Sequence, residues 1–167
     1  ELADDVIERL AEFVAANGAE VTVDGRAADL ARVHEVLAAW DRTHDIDAVG
    51  AVLWREFIGS FPVAEVSAGG SLWAHPFDAE RPLETPRGLA TSADPAQIDT
   101  VIVNLARASH ALESAGVAID ARLGDVQYAE RSGRRIPVHG GADAEGLINI
   151  VTPVANLSRS TLEPVAT

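Results

Sequence analysis

Apolar residues recur at helical spacing in four stretches of the chain, and each stretch has its own start and stop signals. Val6, Ile7, Leu10, Phe13 and Val14 fall on one stripe of a helix over 4–17. Asp4 and Asp5 sit at its positive end and Gly18 supplies the stop. Val21-Thr-Val23 followed by Asp24-Gly25 predicts a short strand and a tight turn. Asp29 is the expected N-cap of a second helix carrying Leu30, Val33, Leu37 and Trp40. A third helix is predicted over 47–61, capped by Asp47. Val49, Val52, Leu53, Trp54, Phe57, Ile58 and Phe61 cover most of its circumference. A helix apolar on most sides is buried on most sides, and this one is expected to need more protein than the chain supplies. The fourth helix has Asp94 as expected N-cap, Pro95 at its first position and Gln97 completing a capping box. Ile98, Val101, Ile102, Leu105 and Leu112 form its apolar face, and Gly116 ends it.

Between the third and fourth helices the period is lost. Residues 61–91 hold Pro62, Gly69, Gly70, Pro76, Pro82, Pro86 and Gly88, the composition of a long irregular loop, with Trp73, Pro76 and Phe77 as expected anchors. After the fourth helix the period changes to two. Val126 and Tyr128 alternate on one strand, Ser132-Gly133 turns, and Ile136 and Val138 alternate on the return. Pro137 makes the return strand an edge or a bulged one. A further short strand is expected over 147–151. The pattern predicts an α+β arrangement, mostly helical with an antiparallel hairpin toward the C-terminal end. Residues 1–152 read as one piece, with the irregular loop reaching to 93, and 153–167 as a polar tail.

Composition narrows the partners. The chain has 167 residues and a net charge of −13 at pH 7. All thirteen basic residues are Arg, and Lys, Cys and Met are absent. The charge disfavours nonspecific nucleic-acid binding and repels anionic membranes. Without Cys there are no disulfides or thiolate metal sites. The chain opens Glu1-Leu2-Ala3 and reads as a segment of a longer protein.

Candidate chemistry is sparse. No two of His34, His44, His75, His110 and His139 have the i,i+4 spacing of a helical metal pair, so neither metal nor cofactor is expected. Asp41, Asp45 and Asp47 near His44 lack the alternating ligands and Gly of a calcium loop and read as a helix end followed by a cap. Ser109-His110 suggests a nucleophile and base, but adjacent helical residues point about 100° apart and are expected not to share a site. Gly140-Gly141 with Gly146 lacks the Lys of a phosphate loop and reads as a turn needing positive φ. Arg55 and Glu56, inside an apolar run, need partners if that helix is buried. Asn156-Leu-Ser158 matches a glycosylation sequon, a cheap match. His139, between an apolar strand and a glycine pair, is the polar residue best placed for a cleft, and His139, Gly140 and Gly141 are the candidate substrate-cleft residues.

An ordered set of motifs carries a family resemblance over about 28–150. Trp40-Asp41, Leu53-Trp-Arg-Glu-Phe57, Trp73-Ala-His-Pro-Phe-Asp78 and Thr85-Pro-Arg-Gly-Leu89 come first, then Leu123-Gly-Asp-Val-Gln127, Ile136-Pro-Val-His-Gly-Gly141 and Asn149. In this order they resemble the penicillin-acylase-like N-terminal nucleophile hydrolases, and within them the acyl-homoserine-lactone and aculeacin-type acylases. The resemblance implies part of a larger αββα amidohydrolase that cuts itself into α and β chains. It hydrolyses the amide between an acyl chain and a polar amine in the periplasm or medium, using the N-terminal Ser of its β chain. This chain resembles the middle of the β chain, beyond that Ser and beyond the oxyanion Asn, so no catalytic residue is carried onto it. Its implied partners are the α chain, the rest of the β chain and a small acyl-amide substrate. The alternative from another class is a non-catalytic binding or scaffold module.

Overall fold

The structure is a computed structural model that describes residues 2–141. Helix α1 spans Leu2–Asn17 and ends at Gly18, whose N–H reaches the Val14 carbonyl. Strands β1 (Glu20–Val23) and β2 (Arg26–Asp29) form an antiparallel hairpin in which Val21 faces Ala28. Asp24 and Gly25 both have positive φ, the turn whose twist matches paired strands. Helix α2 (Leu30–Ala39) begins at Asp29, whose carboxylate accepts from the Arg32 N–H. Helix α3 (Ala51–Gly59) and the one-turn α4 (Val63–Val66) follow. A small antiparallel pair, β3 (Trp73–His75) and β4 (Arg87–Leu89), precedes α5 (Thr100–Ser114). The one-turn α6 (Leu123–Val126) leads into the hairpin β5 (Tyr128–Arg131) and β6 (Arg134–Pro137). Six helices and three hairpins among the described residues make this an α+β segment, mostly helical with the expected hairpin near its end.

The core lies between α1, α2, α3 and α5. Leu10, Phe13, Leu30, Leu37, Leu53, Phe57, Ile102 and Leu105 are all fully buried there. α3 packs on α5, α1 on α2, and the β1–β2 hairpin covers α5. A ladder of rings runs through the core: Trp40 on Trp54 at 5.6 Å, Trp54 on Phe57 at 5.4 Å, and Phe57 edge-on to Phe61 at 5.1 Å. Offset and edge-to-face rings at these separations add about 0.5–1.5 kcal/mol per pair beyond area burial. The broadly apolar α3 is thus covered within the chain: Val52, Leu53, Trp54, Phe57 and Ile58 are all buried against their own neighbours. The expectation that outside protein must cover this helix is corrected.

Two helix starts also move. α3 begins at Gly50, not Asp47. Residues 46–49 lie alongside 122–124, with the Gly124 N–H on the Ile46 carbonyl, Leu123 on Ala48, and a bridge between Val49 and Arg122. That pairing, together with a turn closed by the Ala48 N–H on the Asp45 carbonyl at 2.9 Å, keeps the stretch out of the helix, and Asp47 receives the Arg122 guanidinium at 3.4 Å. α5 begins at Asp99, not Asp94. Asp94 caps an isolated turn at Ala96 instead, and Ile98 is 49% exposed, off the apolar face.

Arg9 explains the second shift. Its buried guanidinium takes the Pro95 carbonyl at 2.9 Å, the Gln97 carbonyl at 2.6 Å and the Asp99 carboxylate at 2.9 Å. A helix started at 95 would spend those two carbonyls on its own ladder. The 61–93 stretch is less irregular than expected, since it contains α4 and the β3–β4 pair. Of its expected anchors, Trp73 is half-buried, with Nε1 on the Ser67 carbonyl, while Phe77 and Pro76 are exposed. Val126 belongs to α6 and not to a strand. The strand expected over 147–151, Gly146, Asn149, the Asn156 sequon and the polar tail lie outside the described residues.

Candidate functional site

The chain leaves β6 through Val138, His139, Gly140 and Gly141, and here three elements meet. Gln127, the residue between α6 and β5, is buried and spends every polar group it has. Its N–H donates to the Leu123 carbonyl at 2.7 Å, and its carbonyl accepts from Val138 at 3.0 Å. Its side-chain Nε2 donates to the carbonyls of Val138 at 2.7 Å and Gly140 at 2.9 Å. Its Oε1 accepts from Arg55 on α3.

Arg55 also donates to the Gly140 carbonyl at 3.0 Å. A charged group inside an apolar helix is thereby placed against a side-chain amide and a main-chain carbonyl, with its stem along the core. The Gly140 N–H closes the junction on the His44 carbonyl at 2.8 Å. His44 is buried with its ring edge-on to Trp40 at 5.5 Å, which ties the junction to the aromatic ladder.

Gly140 adopts φ 89°, the left-handed region open to glycine at little cost, in keeping with the sequence expectation of a positive-φ turn. Gly140 and Gly141 are buried, whereas His139 between Val138 and Gly140 is exposed. The result is a hydrogen-bonded platform with one imidazole presented to solvent. The sequence pointed to His139, Gly140 and Gly141 but not to Gln127, which stood only inside a motif. The signal for Arg55 was its charge in an apolar run; what it reaches for could not be read from the helix alone.

The remaining sequence candidates do not gather here. Asp41 folds into a local turn, accepting from the Thr43 N–H and hydroxyl. The backbone N–H, then the hydroxyl, hold its carboxyl below the usual range. His34 and His75 lie apart on α2 and β3. Among the described residues no group of three or more His, Asp or Glu side chains comes together as a metal site. No described helix is long and apolar enough to cross a membrane.

No family model matches the chain. Individual curated proteins do. The chain is 33% identical over 130 residues, 77% of its length, to an acyl-homoserine lactone acylase PvdQ of Pseudomonas syringae pv. tomato. It is 30% identical over 129 residues to the aculeacin-A acylase of Actinoplanes utahensis. A PvdQ acylase of Pseudomonas fluorescens aligns over 92% of the chain at 30% identity. The matched region is 16%, 14% and 18% of these relatives, so the chain spans less than a fifth of their length. Identity at this level over more than three quarters of the chain places it in the family of these acylases, the penicillin-acylase-like N-terminal nucleophile hydrolases.

Proposed function

We propose that this chain is a supporting segment of an acylase that hydrolyses the amide between an acyl chain and a polar amine. The observation that carries the reading is the alignment of 77% of the chain with enzymes named acyl-homoserine lactone acylase and aculeacin-A acylase. The nucleophile is the N-terminal Ser of a β chain produced by self-cleavage, on a segment outside this one. Its hydroxyl oxygen bonds to the substrate carbonyl carbon, the C–N bond breaks, and the amine leaves with a proton. Water then releases the fatty acid from the ester. This chain alone is inactive. Its α3 and the Arg55–Gln127 junction hold residues 138–141 in place, and His139 faces the cleft from that platform. The partners are the α chain and the rest of the β chain, and the enzyme works in the periplasm or the medium.

The test is purification of the enzyme containing this segment, with N-terminal sequencing of every polypeptide and mass-spectrometric detection of acid released from acyl-homoserine lactones. A companion chain beginning with Ser, together with acid release, is expected. A monodisperse chain with a cooperative melt, no companion and no hydrolysis would favour the scaffold reading. Hydrolysis by this chain alone would place the nucleophile within it.

A further inference from the structure

Away from the junction, and sharing no residue with it, the structure holds a cavity of about 360 Å³ between β2, α2 and the end of α5. That volume is within the range of small-molecule sites. Ser109 and His110 both line it, although neighbouring helical residues were expected not to share a site. They are not a nucleophile and base, because no hydrogen bond joins them. Instead each brings one open polar atom.

His110 is buried and its Nε2 lies 2.9 Å from the Ala27 carbonyl, which can only accept. Nε2 therefore carries a proton, and whenever the ring is neutral Nδ1 is its acceptor. Among the described residues neither His110 Nδ1 nor the Ser109 hydroxyl has a hydrogen-bond partner. The floor is aliphatic, from Leu112, Val117 and Ile119. The rim is acidic. Asp29 and Glu113 line it, and its guanidinium, Arg32, is already held by Glu35 and Asp120 at 2.6 Å each. Arg26, from beyond the lining, approaches Glu113 at 2.8 Å, so two carboxylates and one guanidinium line the cavity and both nearby guanidinium groups are already paired.

We infer that this cavity binds a small alkylammonium compound. The ammonium donates to His110 Nδ1 and the Ser109 hydroxyl, the rim carboxylates supply the opposite charge, and the short alkyl part rests on Val117 and Ile119. Among the described residues the two guanidinium groups at this rim are already paired, which disfavours an anion, and a purely apolar molecule leaves the acceptors unpaired. The inference stands independently of the acylase reading.

The experiment is an NMR titration of the full chain with n-butylammonium chloride, against sodium butyrate and sodium chloride at matched ionic strength. Saturable shifts of the His110 imidazole and Ser109 amide are expected with butylammonium alone. Glu113→Gln, at an exposed position where folding is undisturbed, should weaken apparent affinity about threefold, the scale of one solvent-exposed charge pair. Val117→Trp should fill the cavity and abolish the response. Non-saturating shifts, an equal response to butyrate, or unchanged affinity in Glu113→Gln would each overturn the proposal.

Discussion

At Gly50 the chain has no room for a side chain. Its φ is 101°, and an added Cβ would lie 2.6 Å from the Trp40 Cβ and 2.8 Å from its Cγ. Those atoms cannot swing aside, because Trp40 is wedged between His44 and Trp54 with Nε1 on the Thr43 carbonyl. Gly50→Ala should therefore cost at least about 2 kcal/mol in urea unfolding, from backbone strain and overpacking together. Gly59→Ala is the control. It ends the same helix in open space with ordinary φ, and should be neutral or stabilising by up to about 1 kcal/mol. Gln127 allows a second prediction at this scale. Gln127→Leu leaves the carbonyls of Val138 and Gly140 without its amide and Arg55 without its oxygen, for a loss of about 2–4 kcal/mol. Gln127→Glu should fare no better at neutral pH, since one carboxylate oxygen would face those two carbonyl oxygens. A chemical-denaturation series reads both, and a Gln127→Leu protein as stable as the parent would remove the junction from the account.

Elements were legible where their signals are local. Asp29 capping α2, Gly18 and Gly116 ending α1 and α5, and Ser132-Gly133 turning the last hairpin each depend on residues within one turn of themselves. What failed depends on distant partners. Asp94-Pro95 is a sound helix start by local chemistry, and it loses because Arg9, about eighty-six positions earlier, takes the carbonyls of 95 and 97. Asp47 loses to a pairing with residues 122–124 for the same reason. The candidate site divides in the same way: His139 and the glycines were visible in the strand exit, whereas the Arg55–Gln127 contact spans 72 positions and was not. Asp99 and Asp94 can be set against each other. Asp99→Ala removes the cap at Ile102 and strips the buried Arg9 of its carboxylate, a loss of about 3 kcal/mol or more. Asp94→Ala disturbs an exposed turn and should cost less than about 1 kcal/mol. Equal losses in thermal melts would put the helix start back at 94.

At the scale of the whole molecule, charge sets an acid response with two opposed parts. The net charge is −13 at neutral pH with an isoelectric point near 4.6, so self-repulsion weakens as pH falls from neutrality and the compact state gains. The second part comes from carboxyls that the fold keeps acidic. Asp24 is held below its ordinary 3.8 by hydrogen bonds from Arg107, Asp125 by Arg122, and Asp78 by the Glu80 N–H and then Arg81. A carboxyl lowered in the folded state contributes its stability fully above the unfolded value. As pH drops below 3.8 the unfolded chain takes up protons that the folded chain refuses, and the contribution is lost until the folded groups protonate as well. Each pair is exposed and small, but they act in the same window. The melting temperature should rise from neutral pH toward the isoelectric region and fall below 3.8. Arg122→Gln separates the two parts. It frees Asp125 and Asp47, so the acid-side slope should become shallower while the rise above the isoelectric region persists. Added salt should flatten that rise by screening the repulsion. An acid limb as steep in Arg122→Gln as in the parent would mean that other carboxyls, not these paired ones, govern acid unfolding.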